Sequence, residues 1–208
     1  MMEKIDYKKK YKYLYSPKPG VVEEVDVPAL NFAMIDGKGA ADGPSQTPEF
    51  QDAFGAIYGI TYTLKMGRKK AGVGPDYTIS PPEALWWMEG DVEFDISKPG
   101  LWRWTLMLMQ PDFISQDDFK QAVEQLKKKK DNPQIDKLRL ETFEEGLSVQ
   151  TMHVGPYADE GPNIEKLHDY SKQNGLKLRG RHHEIYFGDP RRTKPEKLKT
   201  ILRQPVEK

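Results

Sequence analysis

Cysteine is missing from all 208 residues, and with it go disulfides, thiolate metal sites and a cysteine nucleophile. The absence fits a reducing compartment. An excess of charge is missing too. Lys and Arg total 32 and Asp and Glu total 32, so the basic surplus that accompanies polyanion binding is not there. Long apolar runs are also lacking. No stretch approaches the roughly 20 apolar residues of a membrane span, and the opening residues, MMEKIDYKKKYKYLY, hold no apolar leader segment. These absences point to a cytoplasmic protein that engages neither nucleic acid directly nor membrane. The length is enough to bury a real core, in one domain or two small ones.

What the sequence does contain is strands alternating with a few well-marked helices. Residues 1–20 are rich in Lys and Tyr and end in Ser16-Pro17-Lys18-Pro19-Gly20, which reads as an N-terminal arm followed by a turn. Val21–Val27 and Leu30–Ile35 have strand character on either side of Pro28. Thr47-Pro48-Glu49 opens a helix with a capping threonine and a proline in the first turn. Phe50, Ala53, Phe54, Ile57, Tyr58, Thr61 and Leu64 then keep helical spacing as far as Gly72, predicting one buried face. Tyr77–Ser80, Ala84–Met88 and Leu101–Met109 read as strands, the last with Trp102, Trp104, Leu106 and Leu108 on one face. Ser115 and Asp118 form a capping box for a second helix striped by Phe119, Ala122, Val123 and Leu126. The lysine run that follows, KKKKDNP, complements the helix dipole and hydrates. Lys137–Glu144 and Leu147–Val154 read as strands around a hairpin turn at Glu145-Gly146. A third helix spans Pro162 to about Asn174 and stops at Gly175. After a strand carrying HHEIYFGDPRR, Thr193 and Glu196 have capping-box spacing ahead of Leu198, Ile201 and Leu202, which predicts a short closing helix.

Two stretches repeat one pattern. NFAMIDGKG, helix, DYTISPPEALWWM and SVQTMHVGPY, helix, KLRGRHHEIYF each run strand, glycine-containing turn, helix, strand. An α+β chain built from two β-α-β-β modules is the expectation. Other motifs are weaker than they look. GKGAADG misses the dinucleotide fingerprint by one residue and lacks the lysine and hydroxyl of a P-loop, so it reads as a turn. His182-His183-Glu184 suggests a metal, but strand alternation sends the imidazoles apart and there is no HExxH; with or without His153 or His168, no metal is expected. No Ser-His-Asp arrangement stands out.

Taken together, NFAMIDGKG, ALWWM, the GPY turn and above all HHEIYFGDPRRTKPEKLKTILRQPV resemble the GyrI-like small-molecule-binding family, over nearly the whole chain. The resemblance implies two β-α-β-β modules related by pseudo-twofold symmetry, their antiparallel sheets framing a central ligand cleft. The arm would cover residues 1–20 and a single ligand-binding domain residues 21–208, with modules at about 21–110 and 111–208. It also implies bulky planar or cationic small-molecule ligands and, in a stand-alone subgroup, hydrolysis of cyclopropane-bearing DNA-alkylating toxins. Sensors of the family add a helix-turn-helix domain. Here the ligand domain takes up the length, which sets a direct transcriptional role aside; a protein partner is not specified.

The chemistry centres on Glu184, which shares a strand face with His182 and Tyr186 while His183, Ile185 and Phe187 share the other. A carboxylate beside apolar walls is poorly solvated, which disfavours its charged form unless a donor or cation compensates. It can hold a cation, aromatic faces completing a cage, or act as general base on a water. For the toxins that the resemblance implies, water activated by Glu184 would attack the cyclopropane carbon. Tyr157 or Tyr186 would donate to the oxygen that gains negative charge, and Trp86, Trp102 and Trp104, with His182, would contact the ligand. No cofactor is required. Each assignment has a structural competitor: Glu184 paired with Arg181, Trp102 and Trp104 both in the core, one of the adjacent Trp86 and Trp87 in the core, Tyr157 covering a helix end.

Overall fold

The computed structural model describes residues 4–39, 47–90 and 98–208. In chain order its helices are α1 (Tyr7–Lys10), α2 (Lys12–Tyr15), α3 (Pro48–Ala71), α4 (Gln116–Lys127) and α5 (Gly161–Gln173). The strands are β1 (Glu23–Val27), β2 (Leu30–Lys38), β3 (Pro82–Met88), β4 (Trp102–Gln110), β5 (Arg139–Phe143), β6 (Gly146–Val154), β7 (Lys177–Leu178), β8 (His182–Phe187) and β9 (Lys199–Glu207). The strand pairs whose register is resolved are antiparallel, and the chain is α+β. It divides into two compact units: residues 1–7, 30–80 and 86–143, and residues 8–29, 81–85 and 144–208. The first unit holds β2, α3, β4, α4 and β5 and the second β1, β6, α5, β7, β8 and β9, while β3 is divided, residues 82–85 falling in the second unit and 86–88 in the first. Of the GKGAADG turn, residues 40–43 lie outside the described residues.

In the first unit β2 pairs with β4 on one side and β5 on the other. Helix α3 begins and ends where its signals say: Thr47 Oγ1 accepts the Phe50 N–H at 3.2 Å, and Gly72 closes the helix in the left-handed region. Its buried side, with Phe50, Ile57, Ile60 and Leu64, packs on strands that contribute Ile35, Trp104, Leu106 and Leu108. Helix α4 is capped by the expected box, Ser115 and Asp118 each bonding to the other's backbone N–H. Gly37 is required by packing: a Cβ there would lie 2.0 Å from the Trp104 ring.

In the second unit the strands lie in the order β1-β6-β9-β8, with β3 beside β8 and β7 on β9. Helix α5 covers one face through Leu167, which packs with Val149, Leu176, Leu202 and Val206. The other face is covered by the segment read as an arm, whose Leu14 and Tyr15 are buried. That face carries polar residues in register. Glu23 sits opposite Gln150, Gln150 opposite Arg203, and Arg203 opposite His183.

Three expectations are corrected. Tyr77–Ser80 makes no strand, and only Tyr77 bridges to Ile5. Residues 199–207 form strand β9 in place of a closing helix, and only Pro195–Lys197 makes a helical turn. Leu198, Ile201 and Leu202 satisfy helical spacing, but β9 lies between β6 and β8 and is buried on both faces, so its apolar residues are not confined to alternate positions. Glu145-Gly146 does not close a hairpin. Strand β5 pairs with β2 whereas β6 pairs with β1 and β9, and Glu145 is buried among cations.

Candidate functional site

The site is built at the ends of β6 and β8 and the start of α5, all in the second unit. Because Leu202 lies opposite both Thr151 and Glu184 in the sheet, and Leu202 packs against α5, Glu184 projects to the helix-covered face. The Tyr186 hydroxyl donates to Glu184 Oε2 at 2.6 Å, and His182 Nε2 lies 3.4 Å from Oε1. The Glu184 side chain is 16% exposed. The three residues expected to share a face do so; Tyr186 holds the carboxylate by a hydrogen bond, and His182 lies beside its other oxygen.

The turn after β6 brings Tyr157 to them. Gly155 has φ +142°, and a Cβ there would stand 3.2 Å from His153 Nε2. His153 is buried and sits with Nε2 3.0 Å from the Pro156 carbonyl and Nδ1 2.9 Å from the Asn163 amide. A carbonyl only accepts, so the network assigns the proton to Nε2 and leaves Nδ1 to accept from Asn163. The turn is thereby fastened to both β6 and α5. It directs Tyr157 so that its ring meets the Tyr186 ring edge to face, with centroids 5.7 Å apart. Burial, followed by the carboxylates of Glu160, Glu184 and Asp189, pushes the Tyr157 hydroxyl up to about 12. At neutral pH it is a proton donor, and it is partly exposed.

The same turn delivers a residue that sequence reasoning missed. Glu160, immediately before α5, is buried, and among the described residues no hydrogen-bond partner reaches its Oε1. Loss of solvation, then the charge of Glu184, raises its carboxyl to about 9; the neighbouring Thr200 hydroxyl favours the ionised form and is outweighed. The positive end of α5 would also favour a carboxylate, and it too is overcome. Two acidic side chains thus share one site, and at neutral pH Glu160 holds its proton. An acid just ahead of a helix is ordinarily a solvated dipole partner, so nothing in the sequence marked this one.

Behind Glu184, on the other face of β8, His183 is fully buried between Glu83, 3.0 Å from its Nε2, and Glu145, 3.0 Å from its Nδ1. The two imidazoles therefore point apart. Arg203 reaches Glu145 at 3.2 Å, Gln150 at 2.9 Å and the Leu14 carbonyl at 2.8 Å, and Tyr15 donates to Glu83 at 2.9 Å. Burial works against the charge on His183, but Glu145 and then Glu83 outweigh it and raise the imidazole to about 9. Burial likewise opposes ionisation of Glu145, yet His183 and Arg203 hold it at about 2. Glu184 therefore stands on a strand fixed from behind by buried ion pairs.

A family model for the GyrI-like small molecule binding domain matches residues 106–207, which include every residue of this site from His153 to Thr200. The chain belongs to the GyrI-like small-molecule-binding family. A GyrI-like architecture also follows from solved structures. An uncharacterized conserved protein from Listeria innocua is 41% identical, with TM-score 0.89 over 98% of this chain and 100% of that one. Two proteins of the same organism described as hydrolases are also similar. One is 39% identical with TM-score 0.87 over 99% of this chain and 100% of that one, and the other 37% identical with TM-score 0.84 over 98% and 100%. No curated protein matches the chain. No helix among the described residues is long and apolar enough to cross a membrane.

The three tryptophans expected to contact ligand belong to the first unit of this GyrI-like chain. Trp104 is wholly buried, donates from its indole to the Lys38 carbonyl at 2.9 Å and meets Phe50 at 4.9 Å. Trp86 is 9% exposed and packs against Phe50 and Trp102. Trp102 is half-buried. Sequence reasoning passed over a different aromatic surface: Phe54, Tyr58 and Tyr62 stack along α3 at 6.4 and 6.5 Å, with Tyr62 exposed. Their spacing of four residues was legible, but it also fits a buried stripe.

Proposed function

We propose that this protein is a hydrolase of electrophilic xenobiotics of the cyclopropane-bearing class, with Glu184 as general base. The observation that carries the reading is the hydrogen bond from Tyr186 to Glu184 at 2.6 Å, beside His182 at 3.4 Å, in a site where Tyr157 remains protonated. A base needs a fixed direction and access to a water, and a partly exposed carboxylate with one oxygen held by Tyr186 meets both needs. In the reaction, Glu184 takes a proton from water as the water oxygen bonds to the cyclopropane carbon. The ring C–C bond breaks, its electron pair passes through the conjugated system to the carbonyl oxygen, and Tyr157 donates a hydrogen bond to the phenolate that forms. Tyr186 holds the base, so Tyr157 is the better placed of the two candidate donors. The likeness to two proteins described as hydrolases supports the same direction. A planar substrate would find aromatic faces on Tyr157 and Tyr186, whose rings meet edge to face, whereas Trp104 acts through packing in the first unit.

The test is incubation of the purified protein with a duocarmycin-type cyclopropane compound, followed by mass spectrometry for the gain of one water. Catalytic formation of the hydrated product by the wild type, lost in Glu184→Gln while binding persists, is the expected result. A compound that stays unchanged beside wild-type protein refutes the hydrolase and leaves the second reading, a non-catalytic binder of bulky cationic or aromatic compounds. That reading is favoured by the two acidic side chains placed against tyrosine rings.

A further inference from the structure

Glu160 is the buried polar group that the hydrolysis scheme does not use. It is 5% exposed, its Oε1 has no hydrogen-bond partner among the described residues, and it lies close enough to Glu184 for the two to interact electrostatically. An unsatisfied buried polar atom costs about 1–3 kcal/mol, and a chain that keeps one next to a second acid in a ligand-binding domain holds a group that a ligand can satisfy. The groups that act on it are Glu184 from β8 and Thr200 from β9; it acts in turn on Tyr157 in the preceding turn, and Tyr186 and His182 flank Glu184. Asp189, just beyond β8, contributes a further negative charge near Tyr157. Arg191 and Arg192 both engage Asp189, and both are exposed.

We propose that Glu160 is a second ligand-binding carboxyl of this site and that a planar organic cation, entering against the Tyr157 and Tyr186 rings, displaces its proton to solvent. This deepens the binding function of the same site, but does not depend on hydrolysis. The chemistry balances: a carboxylic acid becomes a carboxylate, one proton leaves to buffer, and the cation takes its place between two carboxylates. Both terms that keep Glu160 protonated reverse when a cation binds. The ligand's positive charge offsets Glu184, and its N–H or ring-edge hydrogens satisfy the idle oxygen. The tyrosine faces add cation–π attraction. A neutral ligand offers neither term and leaves the proton in place.

The experiment is isothermal titration calorimetry of the full chain with ethidium at pH 7, in buffers of different ionisation enthalpy, which gives the number of protons released per cation bound. Wild type should release a large fraction of one proton, and Glu160→Gln should bind with no release. If that variant does not fold, wild type alone decides, because release must vanish above about pH 9, where Glu160 is already ionised. Failure of ethidium to bind, binding without release at pH 7, or release that is unchanged in Glu160→Gln overturns the proposal. Ethidium has no cyclopropane ring, so a missing hydration product would refute the hydrolase reading alone.

Discussion

Replacing Glu160 with glutamine changes stability in a way that depends on pH, and the size follows from the site. In the folded protein the carboxyl titrates at about 9, against an ordinary value of 4.5. Below 4.5 the folded and unfolded chains both hold the proton and the group adds no pH-dependent cost. Above 4.5 the unfolded chain ionises while the folded one does not, so the wild type loses stability with rising pH until Glu160 itself ionises near 9. Each pH unit within that window is worth about 1.4 kcal/mol, which sums to about 3 kcal/mol at pH 7. Glutamine removes the pH-dependent part and adds a roughly constant cost of about 1–3 kcal/mol for amide groups without partners. Urea denaturation of both proteins at pH 5, 6, 7 and 8 should show the difference, variant minus wild type, climbing by about 1.4 kcal/mol per unit. A difference that stays flat across the series refutes the argument that Glu160 is held protonated by its surroundings.

Arg203→Met should destabilise the protein by about 3–5 kcal/mol, because it leaves Glu145 buried with one cation fewer; chemical denaturation at pH 7 checks this, and a loss under 1 kcal/mol would show that the network is dispensable. The contribution of His183 is complete below its ordinary 6.5 and disappears as pH rises through about 9, whereas that of Glu145 is complete above 4.5 and disappears as pH falls toward 2. In the first unit, Trp104→Ala should cost about 3–5 kcal/mol. Gly37→Ala should be destabilising as well, since the new Cβ meets the indole at 2.0 Å, and thermal unfolding of the two variants tests the pair.

The parts of this fold that could be read in advance are those set by local chemistry. Thr47, Pro48 and Gly72 bounded α3, and Ser115 with Asp118 bounded the start of α4, because caps act within a few residues. Strand alternation put His182, Glu184 and Tyr186 on one face and separated His183 from them. What failed was set by partners distant in sequence. Residues 199–207 carry apolar side chains on both faces because strands pair on both sides, and spacing alone could not tell that from a helix. Trp104 and Trp86 look alike as ligand platforms until Phe50, more than thirty residues away, fills the space against them. Glu160 acquires its character only because Glu184, on another strand, shares its burial.

The row Glu23, Gln150, Arg203, His183 has a consequence for how the second unit finds its pairing. In a sheet where one strand is apolar on both faces, a slip by one residue changes little in hydrophobic burial, and register is weakly specified by grease alone. Here such a slip of β9 would turn Arg203 toward the leucines under α5 and take it from both Glu145 and Gln150. The misregistered sheet would carry an unpaired guanidinium out of water, at a cost of several kcal/mol, and would leave Glu145 with His183 as its one cation. The charged row thus serves as a key that only one alignment of four strands can turn, and the geometry around Glu184 is inherited from that alignment.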